Sequence, residues 1–272
     1  MSEPAGSIPD IVKQKGMEDA MLERYFMSFG RHVRTTLLVA GCVIFAPVVL
    51  ADEPGSPTEI FTIARGGELY DNWWAVLEQD APRTTHPAYP VSGKKSGGTT
   101  WRCKECHGWD YKGVDGAYGS GSHYTGIKGI TAYRNADVAR IKAIIRDDTH
   151  RYTKALLPDN AVEKLALFVS RGQIDMDKYI DRKTKRARGD IGRGASLYQT
   201  VCAVCHGFDG KAINFKDENK PEFIGTVANE NPWEVLHKIR NGQPGVSMVA
   251  MAALSVEDQV AILAYAQTLP RK

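Results

Sequence analysis

Apolar positions recur at helical spacing in several segments of the chain. Asp137 to Ile145 is amphipathic, and Pro158-Asp159 opens a second apolar run, Asn160 to Ser170, carrying Val162, Leu165, Leu167, Phe168 and Val169. Gly192 to Tyr198 opens a further helix that runs into Cys202. Asn231 is placed to cap the next one, with Pro232 at its first position and Trp233, Leu236, Ile239 and Arg240 following at helical spacing. Ser255 caps a last helix whose broad apolar face is Val260, Ile262, Leu263, Tyr265 and Ala266, ending before Pro270. The expected fold class is all-α.

The same order of elements occurs twice. Gly66-Gly67-Glu68-Leu69-Tyr70 matches Gly194-Ala195-Ser196-Leu197-Tyr198 as Gly-x-x-Leu-Tyr. Each is followed by Cys-x-x-Cys-His, a loop, a helix, a loop and a helix, an internal repeat in architecture with weak identity. Two tandem helical domains are expected, 52–180 and 191–272, joined by a basic linker at 181–190. Five basic residues in the eight from Asp181 to Arg188 mark that linker as a solvated segment, with an acidic docking partner as the sharper alternative. The repeats differ in one respect. Tyr198 precedes Cys202 by four residues, but Tyr70 precedes Cys103 by 33, so the first domain carries a loop insertion with Trp73, Trp74, Tyr89, Pro90 and Trp101. Long insertions of this kind are either functional or locally packed.

The N-terminus changes the picture of compartment. Arg31 and Arg34 precede an uncharged, mostly apolar run from Thr35 to Leu50, and Val49-Leu50-Ala51 has the small-residue form of a cleavage site. Residues 1–51 therefore read as a leader and secretory signal cut after Ala51, with Met27 as the expected start. The apolar run is short for a span of about 20 residues. An uncleaved anchor and a lipoprotein on Cys42 are the alternatives. Against the latter, only seven residues separate Arg34 from Cys42, and the sequence after it stays apolar. After Ala51, 30 of the 35 Lys+Arg and 27 of the 32 Asp+Glu remain, a surplus of three positive charges that offers no argument for nucleic-acid binding.

Four of the five cysteines fall in Cys103-Lys104-Glu105-Cys106-His107 and Cys202-Ala203-Val204-Cys205-His206. Two thiols three positions apart can reach the two vinyl groups on one edge of a haem, and the adjacent His then lies beneath the iron. The expected cofactors are two covalently bound haem c groups on Cys103, Cys106, Cys202 and Cys205, with His107 and His206 as proximal ligands. A zinc site would need four ligands converging on one ion, but the motifs stand 99 residues apart. A dithiol oxidoreductase would show a βαβ setting and would not need the His.

From Gly192 to Leu269 the chain resembles the class I cytochrome c family. The resemblance rests on the Gly-x-x-Leu-Tyr opening, Cys202 to Gly207, the loop Gly242-Gln243-Pro244-Gly245-Val246-Ser247-Met248, and the final helix with Ala264-Tyr265. It implies that Met248 is the distal ligand of the second haem. The family usually has Pro after this Met where Val249 stands here, and Met251 is the alternative. The first repeat resembles the family more loosely. Placing Arg146 on Arg240 and Leu157 on Leu254 puts Asp147 to Tyr152 where the Met loop should be, so His150 becomes the candidate distal ligand there, with His123 as rival. Met176 falls after the final helix of that repeat. Trp101, Arg102, Trp109, Tyr111 and Tyr124 could surround the first haem or simply fill the core, and Trp233 and Arg240 are equally ambiguous at the second. His86 and His237 are expected at the surface or in packing.

The function this implies is a periplasmic electron carrier, running from a bis-His haem to a His/Met haem. Its partners would be redox proteins of the periplasm, a membrane respiratory complex or a periplasmic oxidoreductase. The alternative is a haem enzyme, of peroxidase or sulfur-compound oxidoreductase type, with catalysis at the first haem.

Overall fold

The computed structural model describes residues 57–272. The expected signal, its cleavage after Ala51, the Met27 start and Cys42 lie outside the described residues. Nine helices carry the described chain: α1 Pro57–Val76, α2 Cys103–His107, α3 Val138–Ile145, α4 Asp159–Leu167, α5 Ile191–Leu197, α6 Ala203–His206, α7 Ile224–Glu230, α8 Pro232–Asn241 and α9 Val256–Ala266. α4 and α5 loosen into wider π turns at Phe168–Gly172 and Tyr198–Cys202. Among the described residues extended pairing is limited to the isolated bridges Gly113–Lys128 and Ile180–Ala187, so the fold is all-α. No helix among these residues is long and apolar enough to cross a membrane.

Side-chain caps set four helix starts, the expected Asn231 and Ser255 among them. Asp137, Asp190, Asn231 and Ser255 each accept a hydrogen bond from a backbone N–H three residues on, satisfying a donor that the first turn leaves unpaired. α1 kinks at Asn72, which is extended at φ −154°. The kink turns Trp73 inward, where it is fully buried and its indole Nε1 donates to the Trp101 carbonyl at 3.0 Å.

In each repeat the first helix crosses the last at a glycine. A Cβ on Gly66 would lie 2.1 Å from the Lys164 carbonyl oxygen in α4, and one on Gly194 would lie 1.9 Å from that of Ala261 in α9. No side chain fits at either crossing, so the backbones touch. Leu69 and Leu157 in one repeat, and Leu236 and Leu263 in the other, are buried in the core. Each such side chain contributes roughly 1.5–3 kcal/mol when fully withdrawn from water.

The two repeats share one continuous apolar core. Between them, α8 of the second lies against α1 and the motif turn of the first. His237, fully buried, donates from Nε2 to the Gly67 carbonyl at 3.0 Å and accepts at Nδ1 from the Tyr111 hydroxyl at 2.8 Å. Trp109 stacks obliquely on the His237 ring at 5.1 Å and receives Lys104 and Lys238 over its own ring. Asp71 is also fully buried: Arg102 pairs with it, and Lys238 Nζ stands 3.7 Å from Oδ2. The basic segment 181–190 is largely exposed, as expected, yet it is pinned. Arg182 pairs with the buried Asp110 at 3.0 Å, and Gln267 bonds the backbone at both Lys185 and Ala187.

Two outcomes follow. Gly194→Ala should lower the unfolding free energy of the holoprotein by about 2–3 kcal/mol in denaturant titrations, because two backbones must part. Gly192→Ala, whose Cβ meets nothing nearer than 3.4 Å, should not. The second outcome concerns Asp71. Burial tends to raise its pKa, but Lys238 and Arg102 outweigh this and hold it below the ordinary carboxylate value of 3.8. Its stabilisation is therefore present above that value and is lost as pH falls through the lower folded one. Asp71→Asn should cost about 2 kcal/mol at neutral pH, and the gap to the parent protein should shrink below pH 3.8 in thermal melts.

Candidate functional site

The two Cys-x-x-Cys-His segments adopt one geometry. Each ends its helical turn on a glycine in the left-handed region, Gly108 at φ 78° and Gly207 at φ 79°, whose N–H donates back to Lys104 and Ala203 respectively, both at 2.9 Å. The tyrosine of each Gly-x-x-Leu-Tyr then donates its hydroxyl to that glycine's carbonyl, Tyr70 to Gly108 at 2.7 Å and Tyr198 to Gly207 at 3.2 Å. The His carbonyls are capped alike, by Gly113 N–H on His107 and Ala212 N–H on His206.

The first motif opens on a cavity of about 410 Å³, within the roughly 300–1,000 Å³ range of cofactor pockets. Cys103, Cys106 and His107 form one side, and His150 is brought to the other. The rings of His107 and His150 face each other with centroids 6.3 Å apart and planes 27° apart. Two imidazoles sharing one metal ion at nitrogen–metal bonds of about 2.0–2.1 Å have ring centres roughly 6 Å apart. Both Nδ1 atoms are turned away and engaged: that of His107 donates to the Lys128 carbonyl at 2.8 Å, that of His150 to Asp147 Oδ1 at 3.0 Å. This second layer orients each ring and leaves Nε2 as the donor atom for a metal. Burial pushes the pKa of His107 down to about 4, so it is neutral, as a ligand must be. Ile130, Ile141, Ile145, Leu165 and Val169 give the cavity apolar walls.

The other candidates fall elsewhere. His123 donates to Glu105 Oε1 at 2.8 Å and stacks on Tyr118 at 4.7 Å, outside the cavity lining. Arg102 lines the cavity, but Trp109 and Tyr111 belong to the contact between the repeats, Trp101 stands behind His86, and Tyr124 is exposed. Met176 is fully buried in the core. Two histidines carry more than their expected role. His237 is the hub between the repeats described above. His86 is buried, lines the cavity, and donates from Nε2 to the His150 carbonyl at 2.8 Å. Pro87 directly after His86, in an aromatic insertion, was the available sign of an ordered segment.

At the second motif, Cys202, Cys205 and His206 share one turn. His206 Nδ1 is buried with no hydrogen-bond partner among the described residues, and burial lowers the ring's pKa. Met251 is packed on the core, with its N–H donating to Ile239 and its carbonyl accepting from Gln259. Met248 instead lies partly exposed in the loop, between the exposed Val246 and Val249. Trp233 is buried, and Arg240 reaches Gln259 Oε1 and, in the first repeat, the Gly172 carbonyl.

Three of the four motif thiols sit where burial opposes the thiolate form. Burial pushes Cys103 and Cys106 up to about 12 and Cys202 to about 11, whereas exchange needs thiolates near neutral pH. Among the described residues no group of three or more His, Cys, Asp or Glu is placed to hold a metal ion.

Residues 189–265 match the family described as cytochrome c oxidase, cbb3-type, subunit III. This segment is a class I c-type cytochrome domain. A c-type cytochrome domain implies covalently bound haem c and haem-based electron transfer with redox protein partners. Comparison with curated proteins gave no match. Because His123 is held by Glu105 outside the cavity, His123→Ala should leave the optical and EPR spectra of the haem c protein unchanged.

Proposed function

We propose that the chain is a periplasmic di-haem c-type cytochrome, with one haem c in each of two cytochrome c-like domains, 52–180 and 191–272. It passes electrons between redox proteins, such as a membrane respiratory complex or a periplasmic oxidoreductase. Cys103 and Cys106 attach the first haem and Cys202 and Cys205 the second. His107 and His150 ligate the first iron, His206 and Met248 the second. When bound, each haem supplies a one-electron ferric/ferrous couple.

The observation that carries the reading is the facing pair His107 and His150, 6.3 Å apart across a cavity edged by both thiols. Two neutral imidazoles favour the ferric state more than an imidazole and a thioether do. The first centre is thus the lower in potential, and electrons run from it to the second. A centre closed by His150 leaves no coordination site for a substrate, which favours a carrier over a peroxidase or sulfur-compound oxidoreductase. The surfaces support the same direction. Glu105 and Trp109 on the first motif turn are 1 % and 2 % exposed, while their counterparts Val204 and Phe208 are 83 % and 75 % exposed. The second turn offers an apolar face to a partner, and the first does not.

Mass spectrometry should find two haems per chain, and low-temperature EPR of the oxidised protein should show two low-spin species. His150→Ala should convert one of them to a high-spin centre that binds carbon monoxide when reduced, leaving the other unchanged. Met248→Ala should affect only that other one. A single haem, or a His150→Ala spectrum identical to the parent, would overturn the reading.

A further inference from the structure

Residues 77–102 have no counterpart in the second repeat, where three residues separate the tyrosine from the first cysteine. We infer that this insertion is a clamp on the distal loop of the first centre, with His86 as its positioning residue. The inference rests on the proposed ligation by His150.

The hydrogen-bond pattern fixes the chemistry of His86. Ala88 N–H donates to its Nδ1 at 3.1 Å, so the ring proton is on Nε2, and Nε2 donates to the His150 carbonyl at 2.8 Å. The insertion in turn holds His86. Its own N–H donates to Thr100 Oγ1 at 2.8 Å, and that hydroxyl donates to the Gly97 carbonyl at 2.6 Å. The ring meets Trp101 edge-on at 4.4 Å, and Trp101 Nε1 is tied to the Thr84 carbonyl at 2.8 Å.

The loop has little else to hold His150 in place. Asp147 accepts from the N–H of Thr149, the N–H of His150 and the ring of His150, but Asp147 is itself an exposed member of the loop. Arg146 grips the far end, at the carbonyls of Tyr152 and Leu157. Among the described hydrogen bonds at His150, that from His86 alone comes from outside the loop. A bond to the backbone leaves the His150 ring free to ligate while restricting how often it swings away. His86 therefore governs the opening of the centre and leaves the identity of its ligand unchanged.

The test is carbon monoxide binding to the reduced protein, with EPR of the oxidised form. His86→Phe keeps a ring against Trp101 but removes the donor, and should raise the rate of carbon monoxide binding at the first centre about tenfold, the effect of one lost hydrogen bond. His86→Gln keeps an N–H donor and should stay near the parent rate. Thr100→Val loosens the clamp from behind and should move in the direction of His86→Phe. If His86→Phe does not load haem, Thr100→Val decides: a raised rate supports the clamp and a parental one overturns it. Parental rates and spectra in His86→Phe overturn it as well. His150→Ala separates the two claims. If that variant turns high-spin while His86→Phe stays parental, only the clamp falls; if it stays low-spin, the ligation falls and takes the clamp with it.

Discussion

Everything at the two centres depends on backbone touching backbone at Gly66 and Gly194. Where the first helix of each repeat meets the last with no side chain between them, the tyrosine four residues on comes within reach of the glycine that closes the motif turn. That hydrogen bond holds the turn carrying two cysteines and a histidine against the helical frame. A larger residue at the crossing would push the helices apart, carry the tyrosine with them, and release the turn. The small residue and the attachment chemistry lie on different helices, yet they form one mechanical unit, built twice.

The repeats diverge in what each motif turn faces. In the first, α8 of the second repeat covers the turn through His237 and Lys238, and polar groups that burial would penalise are paired: Lys104 with Glu105, Asp71 with Arg102 and Lys238, His237 with Gly67 and Tyr111. Apolar contact alone would hold the repeats together in many registers. Buried pairs of this kind are satisfied in one. In the second repeat the equivalent turn keeps Val204 and Phe208 in solvent.

Much of this was legible in the sequence, and the rest was hidden for identifiable reasons. The caps Asn231 and Ser255 and the apolar stripes mark the helices, because both signals are local. His150 could be placed opposite His107 because the repeat supplied an alignment that composition could not. In the sequence α8 shows one stripe, Trp233, Leu236, Ile239 and Arg240. Its second stripe, Glu234, His237, Lys238 and Asn241, has the same helical spacing but polar chemistry, and polar residues are ordinarily read as a solvated face. His86 was missed because its partner is a backbone carbonyl 64 residues away, which leaves no mark on residue identity.

α1 is where the two halves become one device. Its Tyr70 steadies the first motif turn, while its other side receives the second repeat: a Cβ on Gly67 would strike Asn241, and Gly242 and Gly245 of the methionine loop lie against Glu68 and Ala75. A single helix thus backs the first motif turn and the loop that carries Met248. A shift of α1 would move Tyr70 against the first turn and Glu68 and Ala75 against the loop together, since all three stand on one helix. The proposed transfer of electrons between two haems would need a fixed separation more than mobility. Close glycine contacts on both sides of one helix supply that constraint more rigidly than a flexible linker between separate domains could.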